Sequence, residues 1–222
     1  MERQNLLLIM TEISDSKNYE LYKKAVLDEN SVDADPFRQF SCWFNDALVS
    51  GLPEPDAMFL ATAGIDGVPS GRMVLLKGFD ATGFVFFTNY KSRKGGEIEI
   101  NPFVAIVFHW KELERQVRIT GKAQRVSPSE SDEYFASRTF DSRISAIVSL
   151  QSNVILDKKT LLERFDKVRG SAGMDPQRPA HWGGYRIIPS TFEFWQSGPH
   201  RLHDRIQYRF VSGGWVIERL AP

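Results

Sequence analysis

The sequence predicts a mainly β fold with flanking helices (α+β), built as an antiparallel barrel or closed sheet. Three observations predict it. Short apolar or alternating runs follow one another at hairpin-like spacing between about residues 57 and 126, rather than as strand–helix–strand units. Turn signals such as Ile65-Asp66-Gly67 and Ser212-Gly213-Gly214 separate strand-like runs. Aromatic residues make up 12% of the chain, which suits a β-rich core or a ring-binding pocket. Closing such a sheet removes the exposed edges that invite aggregation.

Each element has its own signal. Residues 1–34 are mixed in character and read as a partly flexible arm, with a short helix around Tyr19–Leu27. A single domain over 35–222 is expected to follow, since 222 residues with 42% hydrophobic content can enclose one good core. Asp35-Pro36 reads as an N-cap with proline at the first helical position. Phe37, Phe40, Phe44, Ala47 and Leu48 then recur at helical spacing with Trp43 beside them, and Gly51 and Pro53 end the run. Strands are expected over 57–63, 71–79, 84–88, 103–110 and 116–126. A helix starts near Ser92 and stops before Pro102. Ser127-Pro128-Ser129-Glu130 is a capping box that opens another. A further helix spans about 158–169, a Gly- and Pro-rich loop spans 170–179, Phe192 and Phe194 lie on a strand, and strands over 205–211 and 215–219 close the chain.

Composition excludes several classes. Twenty-eight basic residues balance 28 acidic ones, so no global positive field exists for generic nucleic-acid binding. No apolar stretch approaches a membrane span, and the N-terminal run Leu6–Met10 is too short for a signal peptide's apolar region, so a cytoplasmic protein is expected. Cys42 is the single cysteine, so no intrachain disulfide can form; its place in an apolar helical pattern predicts a buried, inert thiol. There is no dinucleotide-binding glycine motif after a strand, no P-loop, no zinc-protease motif and no paired-cysteine site. His200 and His203, with Asp204 beside them, have an i, i+3 spacing that faces neither a clear helix nor a further ligand, which speaks against a metal.

What remains is chemistry for planar anions. The segment FEFWQSGPHRLHDR (192–205) gathers Glu193, Trp195, Gln196, Arg201, His203, Asp204 and Arg205. Tryptophan offers a flat face and arginine a fixed fork for phosphate or ring carbonyl. Arg72 and Lys77, then Arg93 and Lys94, bracket two strands. Ser92-Arg93-Lys94 stands at a helix start, where free N–H groups and the helix dipole favour an anion; the same residues also read as a solvated charged turn. Tyr134, Arg138 and Ser142 are spaced four apart and would line one face of a continuous helix as a second anion site, or simply form a polar helix surface. Gln116 with Arg118, and Gln151 with Ser152, place amides and hydroxyls near apolar strands, suited to a heterocycle's edge or to ordinary strand-end polarity.

Together these residues resemble the pyridoxamine 5'-phosphate oxidase family. The matching pieces are RMVLLKGF (72–79), FFTNYKSRKG (86–95), ERQVRITGKA (114–123), YFASR (134–138), LQSNVI (150–155), HWGGYR (181–186), the 192–205 segment and ERLAP (218–222). The resemblance implies an FMN-binding split β-barrel acting as a homodimer with FMN at the subunit interface. It implies FMN contacts from Arg72, Met73, Val74, Leu75, Leu76, Lys77, Phe87, Thr88, Gln116, Gln151, Ser152, Trp195 and Arg205, with Arg93 and Lys94 at the FMN phosphate. It places Lys77, Tyr134, Arg138 and Ser142 at a substrate phosphate, and Arg201 and His203 over the substrate ring as catalytic residues. The implied reaction oxidises pyridoxamine or pyridoxine 5'-phosphate to pyridoxal 5'-phosphate, with O2 as acceptor and H2O2 released, in vitamin B6 salvage. Another split-barrel flavin oxidoreductase, or a non-catalytic binder of FMN or pyridoxal phosphate, is the alternative. The chain departs from the family pattern at Thr139 and Arg143, and no arm residue carries over.

Overall fold

The structure, a computed structural model, describes residues 27–222. The expected arm helix around Tyr19–Leu27 lies almost wholly outside the described residues. The described elements are α1 (Pro36–Val49), β1 (Ala57–Ala63), β2 (Pro69–Leu75), β3 (Gly78–Asp80), β4 (Gly83–Asn89), α2 (Arg93–Ile100), β5 (Phe103–Trp110), β6 (Arg115–Arg125), α3 (Pro128–Ser137), α4 (Phe140–Val148), α5 (Lys158–Ser171), β7 (Trp182–Gln196), β8 (Asp204–Val211) and β9 (Gly214–Arg219). Single 3₁₀ turns cover Lys111–Leu113 and Pro199–Arg201.

Strand order is β2-β1-β5-β6-β7-β4-β3, and β8 pairs with both β7 and β9. The pairings of β3 with β4, β4 with β7, β7 with β8 and β8 with β9 are antiparallel. The expected strand over 71–79 is two strands, because the chain changes partner at Leu76-Lys77. β2 pairs with β1, whereas β3 pairs with β4, and the Lys77 amide already donates to Val85 O at 2.8 Å. Two residues thus join strands from opposite ends of the order, the connection a curled, barrel-like sheet makes.

The described residues fall into two compact units. The first holds the described part of 1–59 with 105–120 and 189–222. Its helix α1 begins as the sequence indicates: the Asp35 carboxylate accepts from the Phe37 amide at 2.9 Å, and Pro36 follows. Phe40, Trp43 and Ala47 form the buried stripe. Phe40 packs on Phe108 at 5.0 Å, and Trp43 meets Phe194 edge-on at 5.2 Å. Cys42 stands off that stripe and is exposed, so the expectation of a buried thiol is corrected.

The second unit holds 60–104 and 121–188. Phe84, Phe86, Tyr185 and Ile187 are buried in it, on neighbouring strands whose register sets Phe86 opposite Tyr185. The 15-residue β7 is longer than the sequence suggested, since Gly183, Gly184 and Pro189 interrupt its apolar pattern. Gly184 has a packing reason: a Cβ there would sit 2.8 Å from the Phe87 ring. α5 runs to Ser171, two residues into the expected loop.

Candidate active site

In the second unit, α2 and β4 build a cationic seat. Ser92 caps α2, accepting from the Gly95 amide at 3.3 Å. Its carbonyl takes the Gly96 amide. The Arg93 and Lys94 amides, at the first two helical positions, have no carbonyl within the helix to bond. The Lys94 ammonium is buried and donates to Gln151 Oε1 at 3.0 Å and Thr88 Oγ1 at 3.1 Å, with Ser92 Oγ at 3.4 Å. Burial, then the nearby Arg72 charge, pushes its pKa down to about 8, and Glu97 offsets part of that fall.

Arg72 reaches the same cluster from β2. Its Nη1 donates to Leu60 O at 3.2 Å and to Thr62 Oγ1; its Nη2 donates to Ser70 Oγ and lies 3.4 Å from Glu97 Oε2. The Arg93 Nε donates to Glu97 Oε1 at 2.8 Å. Burial acts to raise the Glu97 pKa, but hydrogen bonds from Ser70, Thr62 and Arg93 outweigh it and hold the carboxyl at about 2. Along β2, Met73 and Leu75 project to solvent, Arg72 and Val74 are half-buried, Leu76 beyond the strand is buried, and Lys77 is exposed. Ser152, next to Gln151, has a left-handed backbone (φ 72°).

A second group in this unit is aromatic and cationic. Phe87 stacks on Tyr134 at 3.9 Å and on Trp182 at 5.6 Å. The Arg138 guanidinium lies over the Trp182 ring at 4.7 Å, and its Nη1 is buried with no hydrogen-bond partner among the described residues. Burial lowers its pKa, the cost of a charge held out of water, while Tyr134 acts the other way. The expected single helix face for Tyr134, Arg138 and Ser142 is corrected. α3 stops at Ser137, and Arg138 takes an extended backbone (φ −73°, ψ 153°). Thr139 then caps α4, its hydroxyl accepting from the Ser142 amide at 3.4 Å and donating to Ser142 Oγ at 2.8 Å. Trp182, not helical spacing, is what Tyr134 and Arg138 share.

The first unit holds Gln116, Trp195, Arg201, His203 and Arg205. The Trp195 and His203 rings are 4.7 Å apart. His203 Nδ1 accepts from the Gly198 amide at 3.2 Å, which places the proton of the neutral ring on Nε2. Gly198 cannot carry a side chain, because a Cβ would meet Leu202 O at 2.2 Å. Arg201 is exposed on a turn where both His200 (φ 57°) and Arg201 (φ 64°) are left-handed. Arg205 donates to Glu193 Oε1 at 2.8 Å and to Ala221 O at 2.7 Å, and Arg118 also donates to Glu193. Burial opposes ionisation of Glu193, yet the two guanidiniums hold its pKa low. Gln116 is half-buried. Gln196 is structural: it accepts from Arg115 Nε at 2.8 Å and donates to Leu113 O and Glu114 O.

The sequence reading missed Glu97, Trp182 and the bridging part of Glu193. Glu97 was within reach of it, four residues after Arg93 on one helix. Trp182 and Glu193 depend on strand pairing, which no local spacing encodes.

Residues 44–172 match the family model described as pyridoxamine 5'-phosphate oxidase, and residues 182–222 match the pyridoxine 5'-phosphate oxidase C-terminal dimerisation region. The chain belongs to the pyridoxamine 5'-phosphate oxidase family. It is an oxidoreductase of that family and has its split-barrel fold. A pyridoxine/pyridoxamine 5'-phosphate oxidase of Burkholderia multivorans is 54% identical over 90% of this chain and 95% of its own length. The protein of that name from Cupriavidus pinatubonensis is 50% identical over 96% of this chain and all of its own. Among solved structures, PhzG from Burkholderia lata, in complex with tetrahydrophenazine-1-carboxylic acid, superposes with a TM-score of 0.84 at 28% identity, over 90% of this chain and 98% of that one. A pyridoxamine 5'-phosphate oxidase-related, FMN binding protein from Nostoc punctiforme gives a TM-score of 0.70 at 17% identity, over 86% of this chain and all of that one, a likeness of fold. Among the described residues, no helix is long and apolar enough to cross a membrane.

Proposed function

We propose that this chain is an FMN-dependent oxidase that converts pyridoxamine 5'-phosphate, pyridoxine 5'-phosphate or both to pyridoxal 5'-phosphate, working as a homodimer with FMN at the subunit interface. FMN is the cofactor. The cationic seat fits its phosphate: Arg72, Arg93 and Lys94 stand against one carboxylate, leaving two net positive charges at a helix N-terminus for a monoester dianion. Met73 and Leu75 offer apolar surface for a ring system. Gln116, Gln151, Ser152, Trp195 and Arg205 complete the proposed set. When bound, FMN supplies the two-electron acceptor, and O2 restores it with release of H2O2.

The protein's own part is to bind, orient and handle protons. Arg138 carries the substrate argument: a buried guanidinium nitrogen without a partner, over a tryptophan and near a stacked tyrosine, is a prepared anion site separate from that of Lys94. Tyr134, Ser142 and Lys77 join it in holding the substrate phosphate. Arg201 clamps the pyridine ring. The fixed Nε2–H tautomer of His203 points to donating a hydrogen bond to the substituent at the carbon being oxidised. The carbon loses one hydrogen as a hydride, and its amine or hydroxyl substituent loses a proton; from the amine this gives an imine that water hydrolyses to the aldehyde and ammonia.

The structural likeness to PhzG supports a second reading, oxidation of a bulkier carboxylated heterocycle. The 50–54% identical relatives named for the B6 phosphates, and the Arg138 site, favour the first. A panel of pyridoxamine 5'-phosphate, pyridoxine 5'-phosphate and tetrahydrophenazine-1-carboxylic acid, read by oxygen uptake, decides between them. Uptake confined to the phenazine would overturn the B6 assignment.

A further inference from the structure

Resting on the proposed FMN phosphate seat, we infer that Glu97 is its positioning residue, one carboxylate that orients the arginines of two separate elements. The geometry is specific. Glu97 Oε1 takes the Arg93 Nε from the first turn of its own helix at 2.8 Å. Glu97 Oε2 takes Thr62 Oγ1 and Ser70 Oγ, each at 2.5 Å, and faces Arg72 Nη2 at 3.4 Å. Those two hydroxyls in turn accept from Arg72. The carboxylate side chain is only 11% exposed. Both terminal nitrogens of Arg72 are thereby committed to protein partners, so Arg72 serves the seat through its charge and through the strand it rigidifies.

The electrostatic part follows from the same cluster. The charged groups acting on the buried Lys94 are Arg72, which disfavours its protonation, and Glu97, which favours it; its hydrogen-bond partners Thr88, Ser92 and Gln151 are neutral. Without Glu97, Arg72 would act unopposed. Lys94 would lose its proton at lower pH, and the seat would lose a cation when a phosphate needs it.

This makes a prediction that simple charge counting contradicts. Removing a carboxylate from an anion site should by itself tighten phosphate binding. A positioning role predicts the reverse for Glu97→Gln.

The test measures FMN affinity of apoprotein by flavin fluorescence between pH 6.5 and 9.5, for wild type, Lys94→Met, Glu97→Gln and Glu97→Asp, with thermal melts to confirm folding. Wild-type affinity that falls above about pH 8, with a fall abolished in Lys94→Met, establishes the seat independently of Glu97. Glu97→Gln is then expected to bind FMN about tenfold more weakly at pH 8, with its fall-off moved to lower pH. Glu97→Asp keeps the charge on a shorter arm, so it should lose affinity while keeping the wild-type pH midpoint, and it serves alone if the glutamine variant does not fold. Tighter FMN binding in Glu97→Gln, or wild-type affinity and pH midpoint in either variant, would overturn the inference. Absence of any wild-type fall-off would instead remove the seat itself, and Glu97's role with it.

Discussion

The Lys94 seat and the Arg201–His203 turn are built in opposite ways. In the seat every charged group is already engaged: Lys94 with three acceptors, and Arg72 and Arg93 with the Glu97 carboxylate. In the turn, Arg201 is exposed on left-handed backbone, and His203 is fixed through Nδ1 while its Nε2 has no hydrogen-bond partner among the described residues. Preorganisation lowers the ordering cost of holding a resident cofactor. A group that meets a passing substrate needs a defined direction but an open end. Strained backbone in such a turn is a recurrent mark of sites where geometry matters more than stability.

That contrast can be broken by mutation. The largest effect is expected from Arg201→Ala. Turnover should fall about 100-fold, in the range for a misplaced substrate, while the purified protein keeps its yellow flavin. Loss of flavin together with activity would show that the turn belongs to cofactor binding. Lys94→Met should do the converse, weakening FMN affinity about thirtyfold, the scale of a charged hydrogen bond, with near-normal turnover once FMN is saturating. Equilibrium dialysis and saturated assays separate the two. Arg138→Ala should raise KM for pyridoxamine 5'-phosphate about tenfold and leave FMN affinity alone; the opposite pattern would mean the two phosphate sites are exchanged.

Two smaller effects sharpen the comparison. Because the Lys94 pKa lies at about 8 and phosphate prefers the protonated form, binding takes up a proton, and FMN affinity should fall as pH rises through 8 by up to about tenfold per pH unit. A flat profile to pH 9.5 would show that Lys94 does not meet the phosphate. His200→Gly should relieve left-handed strain and raise stability by no more than about 1 kcal/mol, visible as a small rise in Tm. A lowered Tm would show that the His200 side chain, not its backbone, shapes the turn.

The legible parts of the fold were those governed by local rules. Ser92, Ser127 and Asp35 cap their helices as the residue types indicate, and β1 and β5 have the expected bounds. Where pairing over long sequence distance decides, the local signal failed. The break at Leu76-Lys77 comes from a change of strand partner, and β7 pairs with β4 residues about a hundred positions away. The expected helix through Arg138 failed for a local reason, since Thr139 and Ser142 can cap a new helix as readily as they can continue an old one. Of the candidate residues, Lys94, Thr88 and Gln151 are brought together as a set, and Tyr134 and Phe87 stack. Glu97, which holds the seat's arginines, lies outside every matching piece, and Trp182 lies within HWGGYR (181–186) but has no local spacing that ties it to Arg138.

The most direct test of the assigned activity is anaerobic mixing of the FMN-loaded protein with pyridoxamine 5'-phosphate, followed by admission of air. The flavin colour should bleach on mixing and return with oxygen, and pyridoxal 5'-phosphate and H2O2 should appear in equal amounts. A flavin that stays oxidised with both pyridoxamine and pyridoxine 5'-phosphate would contradict the account.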